Sequence, residues 1–399
     1  MSGRFAAGAV LLAIVAVLAV PGRPASAHTN GNAVPADRAA ALQTALDAVR
    51  AAGMPGLFAE VRDGNATWRG TSGVSDVSTG APMQPGFEQR IGSITKTFVA
   101  TVVLQLVGQG RIGLDDPIGR YVGDLVPADL ANSVTVRMLL QHTSGIGDYA
   151  ARLFQSPDDV ARYQFHTFSP QQLVAAGVDM PRTNAPGAGW SYSNTNYILT
   201  GLIIERVTGQ PVEAQVARRI LAPLRLVHTY FPGTEPYLVG PHSLGYVPWT
   251  DGRLRDFSTY NMSWGWAAGA MVSTTRDLND FYAALLSGRL LPPGLLASMQ
   301  STVPENAADP TGTGYGLGLV ATRAPCGTAW GHGGGVFGYG TQALRLADGS
   351  HEVTVADNMT LYEPAGVIGP IDLATINFLI VALCGTTSTA GASRMTLPR

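Results

Sequence analysis

Apolar residues recur at helical spacing from Pro35 to Ala52, with Leu42, Leu46 and Val49 on one side. Pro35 suits the start of that helix and Gly53 its end. Two short β-leaning runs follow, Gly56 to Gly64 and Ala66 to Gly70, joined by Asp63-Gly64-Asn65, which is a hairpin signal. After a Gly/Pro-rich stretch, Phe98, Val99, Val102, Val103 and Leu106 share one side of a helix that begins near Ser93 and stops at Gly108 or Gly110. From Arg111 to about Ser263 the pattern is helices and loops, with helices expected at 136–141, 170–176, 197–207 and 212–221. Thr274 to Leu286 is again helical. Strands return at Tyr315 to Thr322, Thr328 to Gly331, Gly335 to Leu346 and Val353 to Asp357, before a last helix at Ile371 to Leu383.

Strand runs at both ends with helices between predict an α/β (α+β) fold: one antiparallel sheet built from the two chain ends, flanked by helices, with an inserted helical lobe at about 111–263. The helix after Ser93 would lie at their junction. The organisation read from this is a leader at 1–27, one domain at 28–384 and a free tail at 385–399, which is rich in Thr, Ser, Ala and Gly. The leader rests on Arg4, the apolar run Ala6 to Val20 and the small residues Ala25-Ser26-Ala27, with cleavage expected after Ala27. That run is short for a membrane span, so a protein outside the cytoplasm with no stable membrane anchor is expected.

Composition narrows the picture. The chain is 46% hydrophobic and 14% charged, which is ample for a packed core. Net charge is -2 and the arginines are scattered, so no electrostatic footprint for nucleic acid is present. The seven histidines are dispersed and no HExxH or CxxC occurs, so neither a metal nor a cofactor is expected. Cys326 and Cys384, an even pair in an exported chain, suggest one disulfide.

The most informative asymmetry is in the cations. Of 26 Lys plus Arg, only Lys96 is lysine. Guanidinium cannot lose its proton in a protein, whereas a buried amine can. Lys96 stands three residues after Ser93, so the two share one helix face. Serine attacks only if a base takes its proton. An amine half neutral at pH 7 has dropped from about 10.4, roughly 4 to 5 kcal/mol, which burial and a helix N-terminus can supply.

Two further constellations accompany it. In Gly189-Trp190-Ser191-Tyr192-Ser193-Asn194-Thr195-Asn196, residues i and i+2 can point the same way, so Tyr192 and Asn194 can both face Ser93. Taken alone, the cluster also fits a helix cap with a satisfied tyrosine. In Trp330-Gly331-His332-Gly333-Gly334-Gly335-Val336, a strand is stripped of side chains beside a histidine, which marks either close approach of a ligand backbone or a plain β-bulge.

In this order the three elements resemble the serine β-lactamase and penicillin-binding superfamily, whose signature is Ser-x-x-Lys. The Tyr-x-Asn element points to the class C β-lactamase and secreted DD-carboxypeptidase branch. Leu139 to Gly145 and Ala268 to Thr274 belong to the same resemblance, which runs from about residue 40 to 384 and extends to the Cys326 to Cys384 pairing. It implies a β-lactamase/transpeptidase-like fold and acylation of Ser93, with Lys96 and Tyr192 sharing the proton traffic and the base assigned to neither. Asn194 would hold the substrate amide, His332 would stand where many relatives have lysine, and the backbone N–H groups of Ser93 and Gly335 would form the oxyanion hole. His332, Gly333, Gly334, Gly335 and Trp264 would line the substrate site.

There are departures. Carboxypeptidases of this branch carry threonine hydroxyls next to the histidine and after the next glycine, where they help bind a C-terminal carboxylate; here both positions are glycine, Gly333 and Gly335. Val320 replaces an arginine used for the same carboxylate. The expected activity is a D-alanyl-D-alanine carboxypeptidase acting on small peptides of peptidoglycan type or on β-lactams. An esterase, a D-stereospecific peptidase or a β-lactamase on the same fold is the alternative, and a penicillin-binding sensor is the non-enzyme reading. A Ser-His-Asp hydrolase is disfavoured because no Gly-x-Ser-x-Gly elbow occurs.

Overall fold

The computed structural model describes residues 32–309, 312–362 and 367–385. The leader expected at 1–27 and the tail expected beyond Gly385 lie outside the described residues. Helix α1 (Ala36–Ala51) starts after Pro35 and buries Leu42, Leu46 and Val49, as their spacing predicts. Strands β1 (Gly56–Asp63) and β2 (Ala66–Asp76) form the expected hairpin. Its loop contains Gly64 at φ +58, a left-handed backbone that glycine enters without a Cβ clash.

Helix α2 (Thr95–Gly108) is buried almost all round: every residue from Thr95 to Leu104 is buried, as is Leu106. Such a helix runs through the interior rather than lying on it. Phe98 stacks on Phe281 with ring centroids 3.7 Å apart. The following segment carries α3 (Val136–Leu140), α4 (Pro170–Val178) and α5 (Asn194–Thr208), of which α5 packs along α2. A two-stranded ribbon, Tyr246–Pro248 with Leu254–Asp256, interrupts the helical pattern. Helix α6 (Thr275–Leu286) is capped by Thr274, whose side chain accepts from the Asp277 N–H.

Strands β3 (Val320–Ala324), β4 (Gly327–Val336), β5 (Tyr339–Leu346) and β6 (His351–Asp357) then complete the sheet, and α7 (Pro370–Cys384) closes the described chain. The strand order is β2-β1-β6-β5-β4-β3, continued by the short strands Gly314–Tyr315 and Val303–Pro304. These neighbours are all antiparallel. Register between β1 and β6 runs from Leu57 opposite Asp357 to Asp63 opposite His351, so the two chain ends meet in mid-sheet. Helices α1 and α7 pack together over one core, while α2, α5 and α6 enclose the other. Among the described residues no helix is long and apolar enough to cross a membrane.

A disulfide joins Cys326, in the turn between β3 and β4, to Cys384 at the end of α7. Three elements differ from the sequence pattern. The strand expected from Gly335 to Leu346 is broken at Gly338, φ +81, so β4 ends at Val336 and β5 begins at Tyr339. Gly318, φ +72, likewise breaks the run expected from Tyr315 to Thr322. The helix expected at 212–221 changes to a π-helical turn over Ala217–Leu221.

Candidate active site

Ser93 sits in a 3-10 turn, Gly92–Ile94, that leads directly into α2. The turn exists because two glycines let backbones touch. Gly92 has φ +50, and a Cβ there would lie 2.8 Å from the Gly335 nitrogen. A Cβ on Gly334 would meet the Ile91 carbonyl oxygen at 2.0 Å. Strand β4 is therefore pressed against the nucleophile turn, and the glycine run serves the chain's own backbone at Gly334. At Gly335 a Cβ would meet nothing within 4 Å, so there the glycine leaves open space in the site.

Lys96 is fully buried in the first turn of α2. Its Nζ lies 2.9 Å from Ser93 Oγ, 2.8 Å from Asn194 Oδ1 and 2.7 Å from the Ala268 carbonyl oxygen. Burial brings its pKa down from 10.5 to about 7, against the pull of Asp148. As an ammonium, Lys96 gives one proton to each of these oxygens. As a neutral amine it keeps two for Asn194 Oδ1 and Ala268 O, which can only accept, and its lone pair faces the Ser93 hydroxyl. The surroundings thus fit a neutral lysine.

The Tyr192 hydroxyl donates to Ser93 Oγ at 2.7 Å. Burial drives its phenol well above the ordinary range, so a tyrosinate is disfavoured in this pocket. The imidazole of His142 supports the ring, with centroids 4.2 Å apart. His142 Nδ1 accepts from the Ser193 N–H and from Asn196 Nδ2, each at 3.2 Å, and burial keeps the ring neutral.

Asn194 faces Lys96 rather than Ser93. Its Nδ2 donates to Asp148 Oδ2 at 3.1 Å and its backbone N–H to Asp148 Oδ1 at 3.2 Å, which turns Oδ1 toward the amine. Asp148 also caps the short helix Tyr149–Leu153 through Ala150 N–H, and burial raises its pKa. The sequence reading missed Asp148. A signal was present in Gly145-Ile146-Gly147-Asp148, where an aspartate follows glycines at a helix start.

A cavity of ≈ 800 Å³ opens over Ser93. Its walls include Trp190, Tyr192, Tyr315, Val320, Gly334 and Gly335, together with the carboxylates Asp148, Glu305, Asp357 and Asp372. Trp190, Tyr192 and Tyr315 have centroids 6.0 to 6.3 Å from one another and form an aromatic wall. No arginine, lysine or histidine is among the described lining residues.

Three expected substrate contacts require correction: Gly333 is buried in β4, opposite Gln342, and does not line the cavity. His332 is fully buried: Nδ1 donates to the Gly333 carbonyl, so Nε2 accepts from the Tyr315 hydroxyl at 2.9 Å. Burial lowers its pKa to about 3, and it buttresses Tyr315 instead of lining the cavity. Trp264 packs on Phe154 and Phe337, with centroids 5.0 and 5.3 Å away, outside the cavity wall. Trp190 takes the wall position. Glu305 and Tyr315 are lining residues that the motifs did not mark.

The sequence matches the Beta-lactamase family over residues 39–360. It is 29% identical to esterase EstB of Burkholderia gladioli over 385 residues, covering 84% of this chain and 94% of that protein. Among solved structures, a D-stereospecific amidohydrolase from Streptomyces sp. superposes with TM-score 0.78 at 39% identity, covering 87% of this chain and 99% of that one. The D-amino acid amidase of Ochrobactrum anthropi SV3, complexed with D-phenylalanine, does so with TM-score 0.75 at 29% identity, covering 86% and 99%. With a serine, a neutral-leaning lysine and a tyrosine hydroxyl in mutual contact inside the matched span, the chain belongs to the Beta-lactamase family, as a serine hydrolase of the β-lactamase and penicillin-binding superfamily.

Proposed function

We propose that the protein is a D-stereospecific aminoacyl amidohydrolase, cleaving the amide of a D-amino acid that carries a free amino group and an apolar or aromatic side chain. The observation that carries this is the charge of the cavity: among the described residues four carboxylates line it, and no arginine, lysine or histidine does. A peptide ending in D-alanine brings a carboxylate into this site. Of the positions that bind that carboxylate in carboxypeptidases, Val320 and Gly335 stand on the wall without a polar side chain. An ammonium group is the complementary ligand, and the aromatic wall suits a side chain such as that of phenylalanine. The likeness to a D-stereospecific amidohydrolase and to a D-amino acid amidase supports the same reading. The Cys326–Cys384 disulfide supports an oxidising compartment, in keeping with export.

In this mechanism neutral Lys96 takes the Ser93 proton as Oγ attacks the carbonyl carbon. The Ser93 and Gly335 N–H groups, on backbones in contact, receive the oxyanion. The Tyr192 hydroxyl gives its proton to the leaving nitrogen and regains one from the Lys96 ammonium, which holds the proton taken from Ser93; both groups converge on Ser93 Oγ. C–N cleavage releases the amine and leaves an ester on Ser93. Water then attacks the ester, its proton returning along the same path, and the D-amino acid departs. The test is a comparison of ammonia release from D- and L-phenylalanine amide with D-alanine release from diacetyl-Lys-D-Ala-D-Ala. A D-over-L preference of ~100-fold is expected, with little D-alanine released. Faster turnover of the tripeptide would restore the carboxypeptidase expectation.

A further inference from the structure

Glu305 differs from the other carboxylates on the cavity wall. Asp148 accepts from Asn194 and Ala150, Asp357 from the backbone at Gly340 and Met359, and Asp372 from Gly369 and Tyr362. The Glu305 carboxylate accepts no hydrogen bond and meets no cation among the described residues, although its backbone N–H is held by Thr313 O at 3.2 Å. Burial alone moves its pKa up to about 7. A carboxylate half-buried in a cavity wall without a partner is poorly solvated, and a ligand cation offsets that cost. Glu305 shares the cavity wall with Tyr192, Tyr315 and Ser93, and the Tyr192 hydroxyl is 2.7 Å from Ser93 Oγ. A cation held there occupies the same cavity as a carbonyl presented to Ser93. Asp357 and Asp372 belong to the part of the wall built from Asp357 to Ile376.

We propose that Glu305 anchors the α-ammonium group of the substrate and so selects free D-aminoacyl compounds over N-acylated ones. This rests on the aminoacyl reading above. The glutamate stands on the segment after Val303–Pro304, outside the three motifs that carry the proton path, so specificity and chemistry sit on separate pieces of chain.

The experiment measures kcat/KM for D-phenylalanine p-nitroanilide and for its N-acetyl derivative, with the wild type, Glu305→Gln and Glu305→Asp. Both substrates are read on one preparation, so their ratio does not depend on the folded fraction. The wild type is expected to favour the free amine, Glu305→Gln to lower the ratio at least ~10-fold through KM, and Glu305→Asp to recover much of it. A wild-type preference for the free amine that survives unchanged in Glu305→Gln would overturn the assignment of Glu305 alone. A wild type that favours the acetylated compound overturns the aminoacyl reading, and this anchor with it.

Discussion

Gly334 and Ile91 are in backbone contact so close that a Cβ on the glycine would lie 2.0 Å from the Ile91 carbonyl oxygen. The contact sets the distance between β4 and the turn that carries Ser93. Gly334→Ala must push the two apart. A destabilisation of about 1 to 3 kcal/mol is expected, together with about a 100-fold loss of kcat from the displaced nucleophile. Gly335→Ala, where a Cβ meets nothing within 4 Å, should unfold within about 0.5 kcal/mol of the wild type. Urea denaturation of the two variants decides it: equal destabilisation would mean that the contact does not set the fold here.

Lys96→Arg keeps the charge and loses the base. Activity should fall about 10² to 10⁴-fold, as it should for Lys96→Ala. In the wild type, kcat/KM should rise as pH passes through about 7, where the amine becomes neutral. The Asp148 charge raises the pKa of Lys96, so Asp148→Asn should move that acid limb to lower pH. A limb that stays in place after this substitution would assign it to a group other than Lys96.

The same amine leaves a mark on stability. Below pH 7 it is protonated in both folded and unfolded chains, and the folded state bears the full cost of burying it. Between about 7 and 10.5 the unfolded chain binds one more proton, so stability rises with pH across that window. Relative to Lys96→Met, the wild type should gain about 3 kcal/mol between pH 6 and 9.5. Denaturant curves of both proteins at the two pH values measure the gain, and parallel behaviour would contradict a neutral folded lysine.

Opening the Cys326–Cys384 bridge, which spans a sequence separation of 58, should cost about 4 kcal/mol by the loop-entropy relation. The Cys326→Ser, Cys384→Ser double variant should therefore melt well below the oxidised wild type, and dithiothreitol should bring the wild type down to match. Since the bridge ties the β3–β4 turn to α7, away from Ser93, residual activity at low temperature is expected to persist.

What the chain discloses on reading follows from where each constraint acts. Ser93 and Lys96 are one turn apart, and the absence of any other lysine is a chemical statement needing no structure. The β1–β2 hairpin and α1 were legible for the same local reason. Asp148 was legible only as a helix cap, because its partner Asn194 is 46 residues away and only the fold brings them together. Glu305 carries no motif; its meaning lies in the cavity it faces. The glycine run in β4 hid the strand's extent because glycines show no inside-outside alternation, and the turn at Gly338 lies between residues that themselves favour strands. His332 misled in the opposite way: a histidine in a motif suggests contact with substrate, yet both its ring nitrogens are engaged by Tyr315 and Gly333.

Lys96 is the only lysine and is fully sealed inside, so every side-chain cation on the outside is a guanidinium or an imidazole. An amine-reactive reagent finds no lysine on the native surface. Acylation of Lys96 by such a reagent would require α2 to come away from its neighbours, and its rate would serve as a clock for that opening, with no other side-chain amine in the background.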